Sequence, residues 1–206
     1  MAAAPPAPSP SQAPLVLASA SPRRLALLRQ VGLEPQAVNP PHIDETPRKG
    51  ELPMPYARRM AGEKAAAIAP NHPGAFILAA DTVVALGRRL LPKAEDAATA
   101  RRCLELLSGR RHRVYGGLVV LAPDGRRVER LVTSVIWVKR LQAAEIDAYI
   151  ATDEWRGKAG GYAIQGRAAA FIPRINGSYS NVVGLPLAET VAALAGLGYR
   201  GAGGPP

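Results

Sequence analysis

The chain has 206 residues, 48% of them hydrophobic, and a formal net charge of +10. That length suits one domain with a sizeable core, and no apolar run is long enough to span a membrane. A single cysteine, Cys103, excludes an intramolecular disulfide framework and points to a reducing compartment, expected to be the cytoplasm.

With three scattered histidines, His42, His72 and His112, no Cys/His zinc site assembles at a recognised spacing. A divalent ion would have to be held by carboxylates, which suits Mg²⁺ or Mn²⁺. The positive charge comes from 21 arginines and only 5 lysines. It fits nucleic acid, an anionic membrane or a phosphorylated substrate, and equally the bias of an Ala/Arg/Pro/Gly-rich chain. Where arginine is the default cation, each lysine invites separate inspection.

Residues 1–14, MAAAPPAPSPSQAP, carry no basic leader and no sustained apolar core. They read as a disordered Pro/Ala-rich tail rather than a signal or transit peptide. LVLA (15–18) predicts a short buried strand. A helix follows with Ser21 as N-cap and Pro22 as its first residue, Leu25, Leu28 and Val31 on one face, and Gly32 as its stop. Arg23 and Arg24 fall in its first turn, where the helix dipole disfavours cations. An anion shared by both guanidiniums and the free backbone donors resolves that conflict.

A short strand is expected near 36–39, then a charged loop, PPHIDETPRKGELP, and a helix over 55–69. AFILAADTVVAL (75–86) is an apolar strand interrupted by Asp81. A helix over 94–107, a hairpin of strands 112–121 and 127–139 joined by PDGR, and a helix over 142–151 come next. After the glycine-rich GKAGGYAIQG, a strand is expected over 168–175, ending at a hairpin-type Asn-Gly turn, and a last helix over 186–195. Residues 15–198 then form one domain, and 199–206 a flexible tail. Strands alternating with helices predict an α/β fold with a hairpin region inside it.

Two pattern matches carry no weight. GLGYRG (196–201) follows a helix, whereas a dinucleotide fingerprint follows a strand. NGS (176–178) fits the glycosylation pattern, but nothing else in the chain points to secretion. The chain also lacks a G-x-x-x-x-G-K-[ST] loop.

Asp81 is the most informative single residue. A carboxylate in so apolar a strand costs on the order of 2–7 kcal/mol unless it is paired, hydrogen-bonded or bound to metal. In α/β sheets ligands gather at the carboxyl ends of strands, where an acid after the run Phe76–Ala80 would sit. The plainer alternative is an acid satisfied by loop amides or an arginine. Glu45 in the loop reads equally as a solvated acid, and Lys64, beside Glu63, as a surface lysine. Lys93 is expected at the opening of the helix at 94, again an unfavourable place for a cation without an anion nearby. Lys158 precedes small residues that allow close backbone approach to a ligand, or simply form a flexible loop. Gln165 offers a donor and an acceptor suited to a base edge, or serves as a turn residue.

Taken in order, LASASPRR, DET, EKA, AADT, LSGRRHRV, KAGGYAIQG and INGSYSNVVGLPL resemble the Maf family of nucleoside triphosphate pyrophosphatases, over residues 15 to about 195. The resemblance implies a mixed α/β sheet like that of the inosine triphosphate pyrophosphatases, with two lobes around a central cleft. It further implies hydrolysis between the α and β phosphates with Mg²⁺ or Mn²⁺. Ser19, Arg23 and Arg24 would hold the phosphates, and Thr82 would also bind the substrate. Glu45 and Asp81 would hold metal and position or deprotonate water. Lys64 and Lys93 would neutralise charge on the polyphosphate, and Lys158 and Gln165 would line the nucleotide pocket.

SPRR, ADT and YAIQG together resemble the branch acting on dTTP and UTP, and the family suggests a homodimer. In one departure, many members carry Gly-Lys-Pro where this chain reads LLPKA. A basic nucleic-acid-binding protein without catalysis is the alternative. It is disfavoured because aromatics make up only 5% and none form a stacking run beside the arginines.

Overall fold

A computed structural model describes residues 13–201. Its centre is a seven-stranded sheet. Strand β1 (Leu15–Leu17) runs parallel to both β2 (Ala37–Val38) and β3 (Phe76–Leu86). Helix α1 (Pro22–Gln30) connects β1 to β2, and α2 (Pro53–Ile68) connects β2 to β3. The long strands β6 (Arg111–Leu121) and β7 (Arg127–Trp137) form the expected hairpin, β6 lying antiparallel to β3. The fold is α/β with a mixed sheet, as the alternation of strands and helices predicts.

β3 is organised by its alternation. Phe76, Leu78 and Ala80 pack with Leu17, Leu28 and helix α6 (Leu187–Gly196) on one face. Ile77 and Ala79 pack with Ala61, Ala65 and Ile68 of α2 on the other. Farther along, Val84 joins a separate core with α3 (Ala97–Leu107) and α4 (Ala143–Ile150). Two lobes therefore share the same long strands, and Asp81 and Thr82 lie between them.

The cleft is a gap in strand pairing. β6 lines one edge of β3 from Ile77 to Ala85. On the other edge, β1 covers only Phe76–Leu78, and β4 (Arg89–Leu91) covers only Val84–Leu86. Residues 79–83 thus have an uncovered edge, centred on Asp81.

Several local expectations need correction. Residues 168–175 are not a strand: a 3-10 helix occupies Arg167–Phe171, burying Ala168 and Phe171 in the α3–α4 core, and only Arg174–Asn176 (β9) pairs with β7. Asn176-Gly177 turns into α5 (Tyr179–Val183) rather than a returning strand, because the Ser178 side chain accepts from Asn181 N–H and caps that helix. Lys93 does not open a helix. It lies in β5 (Lys93–Ala94), which pairs with β8 (Lys158–Ala159), while Asp96 caps α3. At the ends, Ala13 is buried and Pro14 C=O accepts from Phe76 N–H, so these two residues pack with the folded domain. Tyr199, assigned to the terminal tail by composition, is buried with its ring edge-on to Phe76 at 5.1 Å. Residues 1–12 and 202–206 of the expected tails lie outside the described residues. No helix among the described residues is long and apolar enough to cross a membrane.

Candidate active site

Consecutive residues of β3 point to opposite faces of the sheet, so Asp81 addresses α2 and Thr82 addresses α1. On the α2 side, Lys64 Nζ lies 2.7 Å from Asp81 Oδ1 and 2.8 Å from Glu45 Oε1. Lys93 Nζ lies 2.5 Å from Glu45 Oε2. Asp81 and Lys64 are almost wholly buried, whereas Glu45 and Lys93 reach the cleft surface. Two carboxylates and two ammonium groups thus alternate from the sheet to the mouth of the cleft. Burial works to raise the Glu45 pKa, but hydrogen bonds and charge from Lys64 and Lys93 outweigh it and hold the carboxyl at about 2.

On the other side, the buried Arg24 guanidinium donates to Ser19 Oγ (2.8 Å), Thr82 Oγ1 (3.2 Å) and Gly184 C=O (2.9 Å). Burial lowers its pKa, partly opposed by the charges of Asp81 and Glu45. Arg23 is more open, with Nε directed at Val183 C=O at 3.3 Å. The Ser21 side chain makes no capping bond, which leaves the first turn of α1 facing the cleft without a side-chain acceptor.

All ten residues singled out from the sequence line one cavity of about 450 Å³: Ser19, Arg23, Arg24, Glu45, Lys64, Asp81, Thr82, Lys93, Lys158 and Gln165. Lys93 reaches it from β5 despite the shifted LLPKA pattern. Lys158 Nζ donates to Arg156 C=O, and burial followed by the charge of Arg23 lowers its pKa. Gln165 is exposed on the cavity wall.

The residues that make this geometry were not all visible in the sequence. Gly117 pairs with Asp81 and Gly116 with Thr82. A Cβ on Gly117 would lie 2.1 Å from Ala57 C=O of α2, and one on Gly116 only 1.8 Å from Asn181 Oδ1 of α5. The two glycines let α2 and α5 approach the sheet beside the acid. That approach brings Lys64 to Asp81 and the 183–184 carbonyls to the arginines. Asn181 is fully buried and directs Nδ2 to Ser134 Oγ at 3.1 Å, anchoring α5. Gly160 and Gly161, both with φ near +70°, seat their loop against Val84 and α3, where a side chain would collide.

The donor chemistry can be tested against a divalent cation. Among the described residues no group of three or more His, Cys, Asp or Glu converges. Glu45 and Asp81 nevertheless converge on one buried point, occupied by an ammonium group, and both supply hard oxygen donors. Mg²⁺ commonly uses one or two carboxylates and completes its shell with water and substrate phosphate. The residues fit an ion that arrives with a phosphorylated substrate.

A family model described as Maf-like protein matches residues 14–197. The chain belongs to the Maf-like family. Among its Maf-like relatives, the dTTP/UTP pyrophosphatase of Rhodospirillum rubrum is 66% identical over 190 residues, covering 92% of this chain and 90% of the relative. That of Paramagnetospirillum magneticum is 66% identical over 185 residues (90% and 97% covered). That of Caulobacter vibrioides is 59% identical over 186 residues (90% and 96% covered). A solved Mycobacterium abscessus structure titled nucleoside-triphosphatase / dITP/XTP pyrophosphatase has only slight similarity: TM-score 0.38 and 22% identity over 63% of this chain and 76% of that one.

Proposed function

We propose that this Maf-like protein is a nucleoside triphosphate pyrophosphatase that hydrolyses dTTP and UTP, and modified pyrimidine triphosphates of similar shape, to the monophosphate and pyrophosphate. The observation that carries this reading is the Asp81–Lys64–Glu45 bridge facing the Arg23/Arg24 wall across one cavity. The named relatives support the choice of substrate.

Phosphoryl chemistry asks for fixed cations around the polyphosphate and an acid that orients the nucleophile. Arg23, Arg24 and Ser19 bind the leaving phosphates, with Thr82 fixing the Arg24 fork. Lys64 and Lys93 offset charge developing on the bridging oxygen. Lys158 and Gln165 face the nucleoside. Of the two acids, Glu45 has both oxygens engaged by lysines and a depressed pKa, so it is a poor base. Asp81 has Oδ1 on Lys64, and among the described residues Oδ2 has no hydrogen-bond donor. Asp81 Oδ2 therefore accepts the proton of the attacking water. The water oxygen bonds to the α phosphorus, the bond from that phosphorus to the α–β bridging oxygen breaks, and pyrophosphate leaves. A Mg²⁺ or Mn²⁺ ion held by Glu45 and Asp81 would supply Lewis-acid polarisation of the phosphate.

The substrate is a free nucleotide rather than a nucleic acid, a reading supported by the triphosphates in the relatives' names. The protein works in the cytoplasm without a membrane partner, as a homodimer. Pyrophosphate release across a panel of triphosphates with Mg²⁺ or Mn²⁺ tests the reading, with dTTP and UTP expected to be preferred. Absence of turnover on every triphosphate would refute it. Asp81→Asn is expected to fold normally and lose most of kcat.

A further inference from the structure

A second cavity, of about 340 Å³, meets the first at the catalytic carboxylates. The two share Glu45, Asp81, Thr82, Lys93 and Ala159, then diverge. The first turns toward α1 and the glycine-rich loop, and the second runs along the α2 face of β3, where Val83 points. Away from the shared polar end, the second cavity is walled by Pro47, Val83, Leu90, Leu91 and Pro92. Tyr56 also lines it, but its hydroxyl is committed to Glu45 C=O at 2.6 Å. These walls present no cation to a phosphate. They lead to Asp81 from the side opposite the arginines.

We infer that this second cavity is the entrance for the attacking water. The inference rests on the pyrophosphatase reading and deepens it. A nucleoside triphosphate whose phosphates lie on Arg23 and Arg24 fills the first cavity, so the second reactant needs another path. In phosphoryl transfer the attacking and leaving oxygens lie roughly in line through phosphorus. With pyrophosphate leaving toward α1, water must arrive from the far side of the α phosphate, where the second cavity opens onto Asp81. Apolar walls suit this task because they retain neither water nor nucleotide, and the charged groups among the described lining residues sit where the water is used.

The test blocks the passage from two independent walls. Leu90→Trp fills it from β4, and Pro47→Trp fills it from the exposed loop. Neither residue touches the proposed nucleotide path. Both variants are expected to melt like the wild type and to bind a non-hydrolysable α,β-methylene triphosphate with unchanged affinity. Pyrophosphate release should fall about tenfold in kcat. Wild-type kcat in folded variants of both kinds would overturn the inference. So would analogue affinity falling in step with kcat, which would make the cavity part of the nucleotide site. Failure of the underlying reading is distinct, since the wild-type protein itself would then release no pyrophosphate.

Discussion

Replacing Lys64 by Met separates what the buried ion pair does for the fold from what it does for catalysis. The side chains of Lys64 and Asp81 are 6% and 7% exposed. Removing the ammonium leaves the Asp81 charge buried without its partner, a change worth roughly 3–5 kcal/mol. Glu45 contributes little to that loss, being 35% exposed and still paired with Lys93, so its share is under about 1 kcal/mol. Lys64→Met should therefore lower unfolding free energy by about 3–5 kcal/mol, read from urea melts, and reduce kcat by at least about a hundredfold. The double variant Lys64→Met/Asp81→Asn buries no charge and should recover all but about 1–2 kcal/mol while remaining inactive. Mg²⁺ should stabilise the single variant more than the wild type, because two carboxylates have lost the cation between them. A single variant within about 1 kcal/mol of wild type would refute the reasoning, since Asp81 would then not depend on Lys64.

Other expectations follow from single contacts. In Arg24→Lys, one ammonium cannot reach Ser19, Thr82 and Gly184 together, so steady-state assays should show KM raised about tenfold. Gly116→Ala should lower stability by more than about 2 kcal/mol in urea melts, because its Cβ would lie 1.8 Å from Asn181 Oδ1. Gly62→Ala, which meets only the far end of Arg127, should instead gain up to about 1 kcal/mol from helix propensity. Burial lowers the His112 pKa from 6.5 to about 4, so the unfolded chain takes up the proton first. The His112 contribution is then full above pH 6.5 and is lost as pH falls toward 4, a difference of about 3 kcal/mol. Urea midpoints across that window should drop less steeply in His112→Gln than in wild type.

The chemistry of the site was legible where one residue contradicted its surroundings. Asp81 in an apolar strand required a partner, and Lys64 supplies it. The scaffold was less legible because it depends on pairs of elements. Strands β4, β5 and β8 have two or three residues each, too few to show a period. Yet β4, whose pairing ends with Leu91 opposite Val84, leaves the edge of β3 open at Asp81. Gly116 and Gly117 carry no mark of a site in the sequence, because their value comes only from the helices that close over them.

Adjacent arginines at a helix start likewise cannot be told apart by sequence. Arg24 is buried and already donates to Ser19, Thr82 and Gly184, tying α1 to β3 and α5. Arg23 is more exposed and makes one long bond, to a backbone carbonyl. A guanidinium so committed holds the wall in place, and the freer one has donors left for an incoming phosphate. Loss of Arg23 should therefore weaken nucleotide binding with little change in stability, whereas loss of Arg24 should damage both.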